Sequence, residues 1–80
     1  MKFDYSKLEG RIVEKFGTRR AFADAWNKHE NTVSRKLRGK APFTTDDIIV
    51  VSAPHLLDIP ADQAHEYFFT PKVQEVEQEQ

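Results

Sequence analysis

The sequence predicts an all-α domain of five short helices around one small core. Apolar residues recur at helical spacing, residue types that cap helices stand at the segment boundaries, and cysteine is absent. A chain of 80 residues buries only somewhat over ~60% of its unfolded surface, so one domain is expected. We place this domain at residues 1–69 and an acidic, flexible tail at residues 70–80.

The first helix is predicted over residues 4–16, with Asp4 or Ser6 as its cap. Its apolar stripe consists of Tyr5, Leu8, Ile12 and Phe16. Another side carries Lys7, Arg11 and Lys15, for which a solvated face is the preferred interpretation over phosphate contact. Gly17 follows the last apolar residue and is typical of a helix C-cap.

The second helix is predicted from Arg19 to Trp26, with Thr18 as its cap. Phe22 and Trp26 share one face, so Trp26 is interpreted as a core residue between helices, although an aromatic ring can also stack on a base. Asn27 falls at a tight turn, where a left-handed backbone is needed.

The third helix is predicted from Glu30 to Arg38, with His29 as its cap. Val33 and Leu37 form its apolar side. At about 100° per residue, polar side chains fall within an arc of about 140° on the other side. These are Glu30, Asn31, Ser34, Arg35 and Arg38. Such residues hydrogen-bond base edges, so residues 18–38 predict a helix-turn-helix whose second helix enters the major groove of DNA.

Cations flank this helix pair. Arg19 and Arg20 begin the second helix, where they oppose the helix dipole, and a bound phosphate would relieve that conflict. Gly39 ends the third helix and Pro42 prevents its continuation, so the loop that follows, with Arg38 and Lys40, is well placed to contact the sugar-phosphate backbone. We expect phosphate contacts from Arg19, Arg20, His29, Arg38 and Lys40.

The T-x-x-D pattern from Thr44 to Asp47 is a capping box, which predicts a fourth helix from about Thr45. Its IIVV run also suits a buried strand, but the capping favours a helix, which Pro54 should kink or split. Pro60 then suits the first turn of a fifth helix, about Ala61 to Phe68. A short edge strand in the tail, used for dimer pairing, is an alternative to flexibility.

Charge is divided between the two halves of the chain. Residues 1–44 hold 11 Lys and Arg against 5 Asp and Glu, whereas residues 45–80 hold 1 against 8. The positive half contains the proposed reading helix, although an ordinary charged surface with an acidic tail remains an alternative.

Other functional classes lack their signatures. The histidines have no metal-ligand spacing, and nucleophile motifs, phosphate-binding loops and membrane-length apolar runs are absent. We therefore expect no catalysis, metal, cofactor, small-molecule substrate or membrane association, and a cytoplasmic location.

Residues 18–40 resemble the helix-turn-helix of phage repressors of the Cro and CI type. The GKAPF loop, LLDIP and the EYFFTPKV ending extend this resemblance to short Cro-like proteins of Gram-positive phages and prophages. It implies a lambda-repressor-like five-helix domain that binds operator DNA as a dimer and controls a lysis–lysogeny choice in the bacterial host, at the nucleoid when bound. The base-reading positions of that family fall on Glu30, Asn31 and Arg35, with Thr32 and Ser34 beside them as further candidates. Asn27, His29 and Pro54 depart from its usual pattern.

Two functions are carried forward. The first is a transcriptional repressor that reads double-stranded operator DNA. The second is a protein-interaction module, such as an antirepressor or antidote, because the acidic half suits a basic partner and Glu30 is unusual on a reading helix.

Overall fold

The computed structural model describes residues 3–71 and contains five α-helices joined by short loops. They are α1 (Ser6–Phe16), α2 (Arg19–Trp26), α3 (Glu30–Leu37), α4 (Thr45–Val51) and α5 (Ala64–Phe68). Within residues 3–71, strand-like pairing is limited to an isolated antiparallel bridge between Phe3 and Pro71. The predicted all-α class with five helices is confirmed. No helix in this range is both long enough and apolar enough to cross a lipid bilayer.

One apolar core holds the helices together. α1 packs against α2 and α5, and α2 packs against α3. The buried apolar side chains are Leu8, Ile12, Phe22, Ala23, Trp26, Val33, Leu37, Val51, Leu56, Leu57, Ile59 and Phe68. The interpretation of Trp26 as a core residue is confirmed, because its ring is buried and lies 5.6 Å from that of Phe22.

Local capping decides where the helices begin. The Thr18 hydroxyl accepts from the Ala21 N–H at 3.1 Å, as predicted for α2. Thr44 and Asp47 form the predicted reciprocal capping box at the start of α4. The first helix starts two residues later than predicted, at Ser6, and the Asp4 carboxylate accepts from the Ser6 N–H at 2.8 Å.

Two predictions about the second half of the chain need correction. Pro54 neither kinks nor splits α4, because that helix already ends at Val51 and Pro54 lies in the following turn. The Leu57 N–H donates to the Val51 carbonyl at 3.0 Å and closes this turn. The predicted helix 61–68 begins as a 3-10 turn, Ala61–Gln63, before α5.

The solvated face predicted for α1 is wrong at Arg11. Its Nε donates to the Leu57 carbonyl at 2.8 Å, and its Nη2 donates to the Asp58 carbonyl at 2.9 Å. Lys7 pairs with Glu66 on α5. These two cations therefore fasten α1 to the segments that follow α4, a role that helical spacing alone does not reveal.

The start of the predicted tail meets the N-terminal end of the domain. The Asp4 N–H donates to the Thr70 carbonyl at 2.7 Å, beside the Phe3–Pro71 bridge. The remainder of the tail, residues 72–80, lies outside the described residues, and so do its predicted flexibility and the edge-strand alternative.

The turn between α2 and α3 depends on Asn27, whose backbone is left-handed with φ 63° and ψ 40°. An L residue with a Cβ pays for this conformation sterically, and Asn tolerates it better than Ala. We expect Asn27→Ala to destabilise the fold by about 1–2 kcal/mol in urea unfolding, and Asn27→Gly to change it by less than about 0.5 kcal/mol. Equal losses in both variants would show that the Asn side chain, rather than the backbone conformation, matters here.

Candidate nucleic-acid interface

α3 has one buried side and one solvent-facing side. Val33 and Leu37 are buried against the core, which fixes the rotation of the helix about its axis. The residues predicted to read bases lie on the remaining surface. Glu30, Asn31 and Arg35 are exposed, whereas Thr32 and Ser34 are half-buried. An amphipathic helix anchored in this way presents its polar side chains as a fixed ridge.

His29 is the helix cap that the sequence predicted. Its Nδ1 accepts a hydrogen bond from the Asn31 N–H at 3.0 Å, and its backbone is extended. An accepting Nδ1 places the ring proton on Nε2, which can donate to a phosphate oxygen. The same hydrogen bond ties the first turn of α3 to His29. The backbone that carries the Asn31 side chain is therefore held in place.

Ser34 is engaged by the neighbouring helix. Arg19, the first residue of α2, donates from Nη1 to the Ser34 Oγ at 3.0 Å. Arg19, predicted to contact phosphate, and Ser34, predicted to read a base, are therefore hydrogen-bonded to each other in the free protein. Arg20, the next residue, is exposed.

The loop after α3 folds back onto the helix end. Gly39 has a left-handed backbone with φ 78°, its N–H donates to the Lys36 carbonyl, and the Lys40 N–H donates to the Arg35 carbonyl at 2.8 Å. These two hydrogen bonds form the Schellman arrangement that ends many helices. The exposed side chains of Arg38 and Lys40 are consequently held beside the end of the polar ridge.

Lys36 has a structural role that the sequence interpretation missed. Its Nζ donates to the Pro42 carbonyl and to the Asp47 Oδ2, both at 2.8 Å, and lies 5.9 Å from the centre of the Phe43 ring. Burial acts to raise the pKa of Asp47, but hydrogen bonds from Lys36 and Thr44 outweigh it and lower that pKa. At about 100° per residue, Lys36 falls outside the polar arc of α3. This position on the helix was the sequence feature that could have indicated a structural role for Lys36.

The outward surface around α2 and α3 is strongly basic. Residues 18–40 contain seven Lys and Arg residues against two acids, Asp24 and Glu30. Residues 45–71 contain five acids and no Lys or Arg. Lys36 is neutralised by Asp47, so six of the seven cations in residues 18–40 remain available to a polyanion, on α2, α3 and their adjoining turns. In the described part of the chain, no group of three His, Cys, Asp or Glu side chains is arranged to hold a metal ion.

Comparison with solved structures gives a match along nearly the whole chain. The chain is similar to the modulator of repression (MOR) of the temperate bacteriophage TP901-1 from Lactococcus lactis, whose solution structure superposes with a TM-score of 0.75. The two share 40% sequence identity, and the match covers 92% of this chain and 97% of that one. No curated protein sequence matches.

The resemblance to Cro- and CI-type repressors that the sequence suggested stays a prediction. The similarity to a phage protein named for its effect on repression agrees with the coarser expectation of a phage regulatory protein. A family model described as "Protein of unknown function (DUF739)" matches residues 1–71. Because that match spans most of the 80 residues, the chain belongs to the DUF739 family.

Proposed function

We propose that this protein is a phage regulatory protein that binds double-stranded DNA by inserting α3 into the major groove. The observation that carries the proposal is the polar ridge of α3, solvent-facing along one side of a helix whose other side is locked into the core by Val33 and Leu37. A protruding helix with hydrogen-bonding side chains matches the width of the major groove. The similar phage protein is itself named for an effect on repression, which supports a regulatory role.

Each side chain of the ridge has a distinct proposed partner. Asn31 pairs with the two hydrogen-bonding atoms of adenine, Arg35 pairs with guanine, and Glu30 accepts from the amino group of cytosine. Thr32 and Ser34 flank them. The surrounding cations and His29 bind phosphates and set the register of the helix on the duplex. These contacts come from Arg19, Arg20, His29, Arg38 and Lys40.

Two copies on a two-fold-symmetric operator complete the proposal. A single short reading helix contacts few base pairs, so a dimer on a palindromic site raises both affinity and specificity. The protein acts as a repressor in the cytoplasm of a bacterial host, at the nucleoid when bound, and its role is binding rather than catalysis. Selection of bound duplexes from a random pool tests specificity and symmetry together, because a palindromic consensus requires both.

Arg35→Ala and Lys40→Ala are expected to weaken DNA binding in different ways. Loss of Arg35 removes a base contact, so affinity for the selected operator should fall by about 1–3 kcal/mol and specificity at one base pair should relax. Loss of Lys40 removes a phosphate contact, so operator and scrambled duplex should weaken about equally, and the slope of log K against log salt should fall by about 1. Gel-shift or anisotropy titrations at several salt concentrations measure both effects.

Both side chains are exposed, so the two variants should unfold at the wild-type urea midpoint and serve as controls for each other. If Arg35→Ala weakens the operator and the scrambled duplex by the same factor, Arg35 does not read a base.

A protein partner is the second candidate function, and two observations favour it. The similar phage protein is named a modulator of repression rather than a repressor. In addition, α4 exposes Ile49 (64%) and Val50 (42%) within the cation-free segment 45–71. An apolar pair with acidic surroundings suits a basic protein surface. Titrations of duplex DNA at low and high salt separate the two candidates. A DNA-binding protein loses affinity steeply as salt rises, whereas absence of binding to any duplex at low salt favours the protein partner.

A further inference from the structure

Arg19 and Ser34 form a side-chain hydrogen bond that joins α2 to α3. The two residues are 15 positions apart, and the guanidinium Nη1 donates to the serine Oγ at 3.0 Å. Arg19 is otherwise exposed, whereas Ser34 is half-buried in the middle of α3. The bond therefore holds a long, flexible cation against a short side chain on a rigid helix.

The chemistry of the two groups gives the bond a direction. A guanidinium has five N–H donors, and one of them is used by Ser34, so several remain for another acceptor. A serine hydroxyl that accepts from a cation keeps its own O–H donor, but Ser34 is half-buried whereas Arg19 is exposed. The group most accessible to a ligand at this place is therefore the remainder of the Arg19 guanidinium.

We propose that Ser34 is a positioning residue for Arg19 and does not read a base. It holds the guanidinium at the edge of the α3 ridge, where the planar fork grips the two oxygens of one DNA phosphate. This inference rests on the proposed DNA-binding function. It moves Ser34 out of the set of base readers that the sequence predicts and makes its contribution to affinity independent of DNA sequence.

The size of the effect follows from side-chain ordering. An unrestrained arginine loses rotamer freedom when it binds a phosphate, and a bond already made in the free protein removes part of that loss. Ser34→Ala is expected to weaken binding by about threefold to tenfold. The loss should be equal on operator and scrambled duplexes, because phosphates are common to both.

A double-mutant cycle tests the proposal on the full chain. The variants are Ser34→Ala, Arg19→Ala, the two together, and Ser34→Thr, which keeps the hydroxyl. The DNA is a duplex selected from a random pool and a scrambled duplex of the same composition. Ser34→Ala should cause no further loss once Arg19 is alanine, and Ser34→Thr should bind within about twofold of wild type.

Thr32→Ala is the matched control, since it removes a half-buried hydroxyl from the same helix without touching the Arg19–Ser34 bond. Its effect should be the same with and without Arg19. Urea midpoints of Ser34→Ala should not fall, because alanine is the better helix former.

Independent losses from Ser34→Ala and Arg19→Ala, or a Ser34→Ala loss confined to the selected operator, would overturn the positioning role while the DNA-binding function stood. Failure of the wild-type protein to bind any duplex at low salt would overturn the proposed function, and the inference with it.

Discussion

Phe22→Ala is expected to destabilise the protein by about 3–5 kcal/mol, a large fraction of the roughly 4–12 kcal/mol available to a chain of this length. The Phe22 side chain is 1% exposed, and its ring centre lies 5.6 Å from those of both Phe16 and Trp26. Truncation therefore opens a cavity where α1 and α2 meet. Urea unfolding followed by far-ultraviolet circular dichroism at 25 °C measures the loss.

Phe69→Ala is the matched control, because it removes a phenyl ring from a side chain that is 42% exposed and packs against Phe3, outside the buried core. It should lose about 1 kcal/mol or less. A similar loss in both variants would mean that the cluster around Phe22 is not the centre of stability. A small loss in both would mean that the core repacks around the missing ring.

The features that the sequence could predict are those decided by neighbouring residues. Thr18, Asn27 and His29 each act on backbone groups within five positions, so residue type and spacing were enough to identify two caps and a left-handed turn. The start of α4 at Thr45 was also predictable, because the capping box outweighed the β-branched run IIVV. Pro54 was misinterpreted because nothing local reveals that α4 has already ended.

The contacts that sequence could not predict join distant positions. Arg19 meets Ser34, Lys36 meets Asp47, and Arg11 meets two carbonyls more than 40 positions away. Arg11 was interpreted as solvated, and Arg19 and Ser34 as DNA contacts. The position of Lys36 outside the polar arc of α3 does not identify Asp47 as its partner. Only the angle between packed helices decides which charged side chains turn inward, and periodicity carries no information about that angle. Glu30, Asn31 and Arg35 are exposed, as the sequence predicted, whereas Ser34 is hydrogen-bonded to Arg19.

Asp47→Ala is expected to destabilise the protein by about 2–4 kcal/mol, a second large effect from a different cause. The side chains of Lys36 and Asp47 are 12% and 14% exposed, and their ion pair spans 2.8 Å. Removing the carboxylate leaves the Lys36 ammonium with little water and one carbonyl partner, and it also breaks the capping box with Thr44. Asp46→Ala, on the same turn but exposed, should lose less than about 1 kcal/mol.

Acid should weaken the same ion pair in the wild-type protein. The pKa of Asp47 is lowered in the folded state, so its contribution is complete above the unfolded value of about 3.9 and disappears as pH falls through the folded value. Asp47→Asn should therefore flatten the decline of stability below about pH 4 relative to wild type, whereas Asp46→Asn should leave it almost unchanged. Parallel acid profiles for wild type and Asp47→Asn would show that the Lys36–Asp47 pair does not hold the Gly39–Phe43 loop to α4. The phosphate contacts proposed for Arg38 and Lys40 would then need another structural basis.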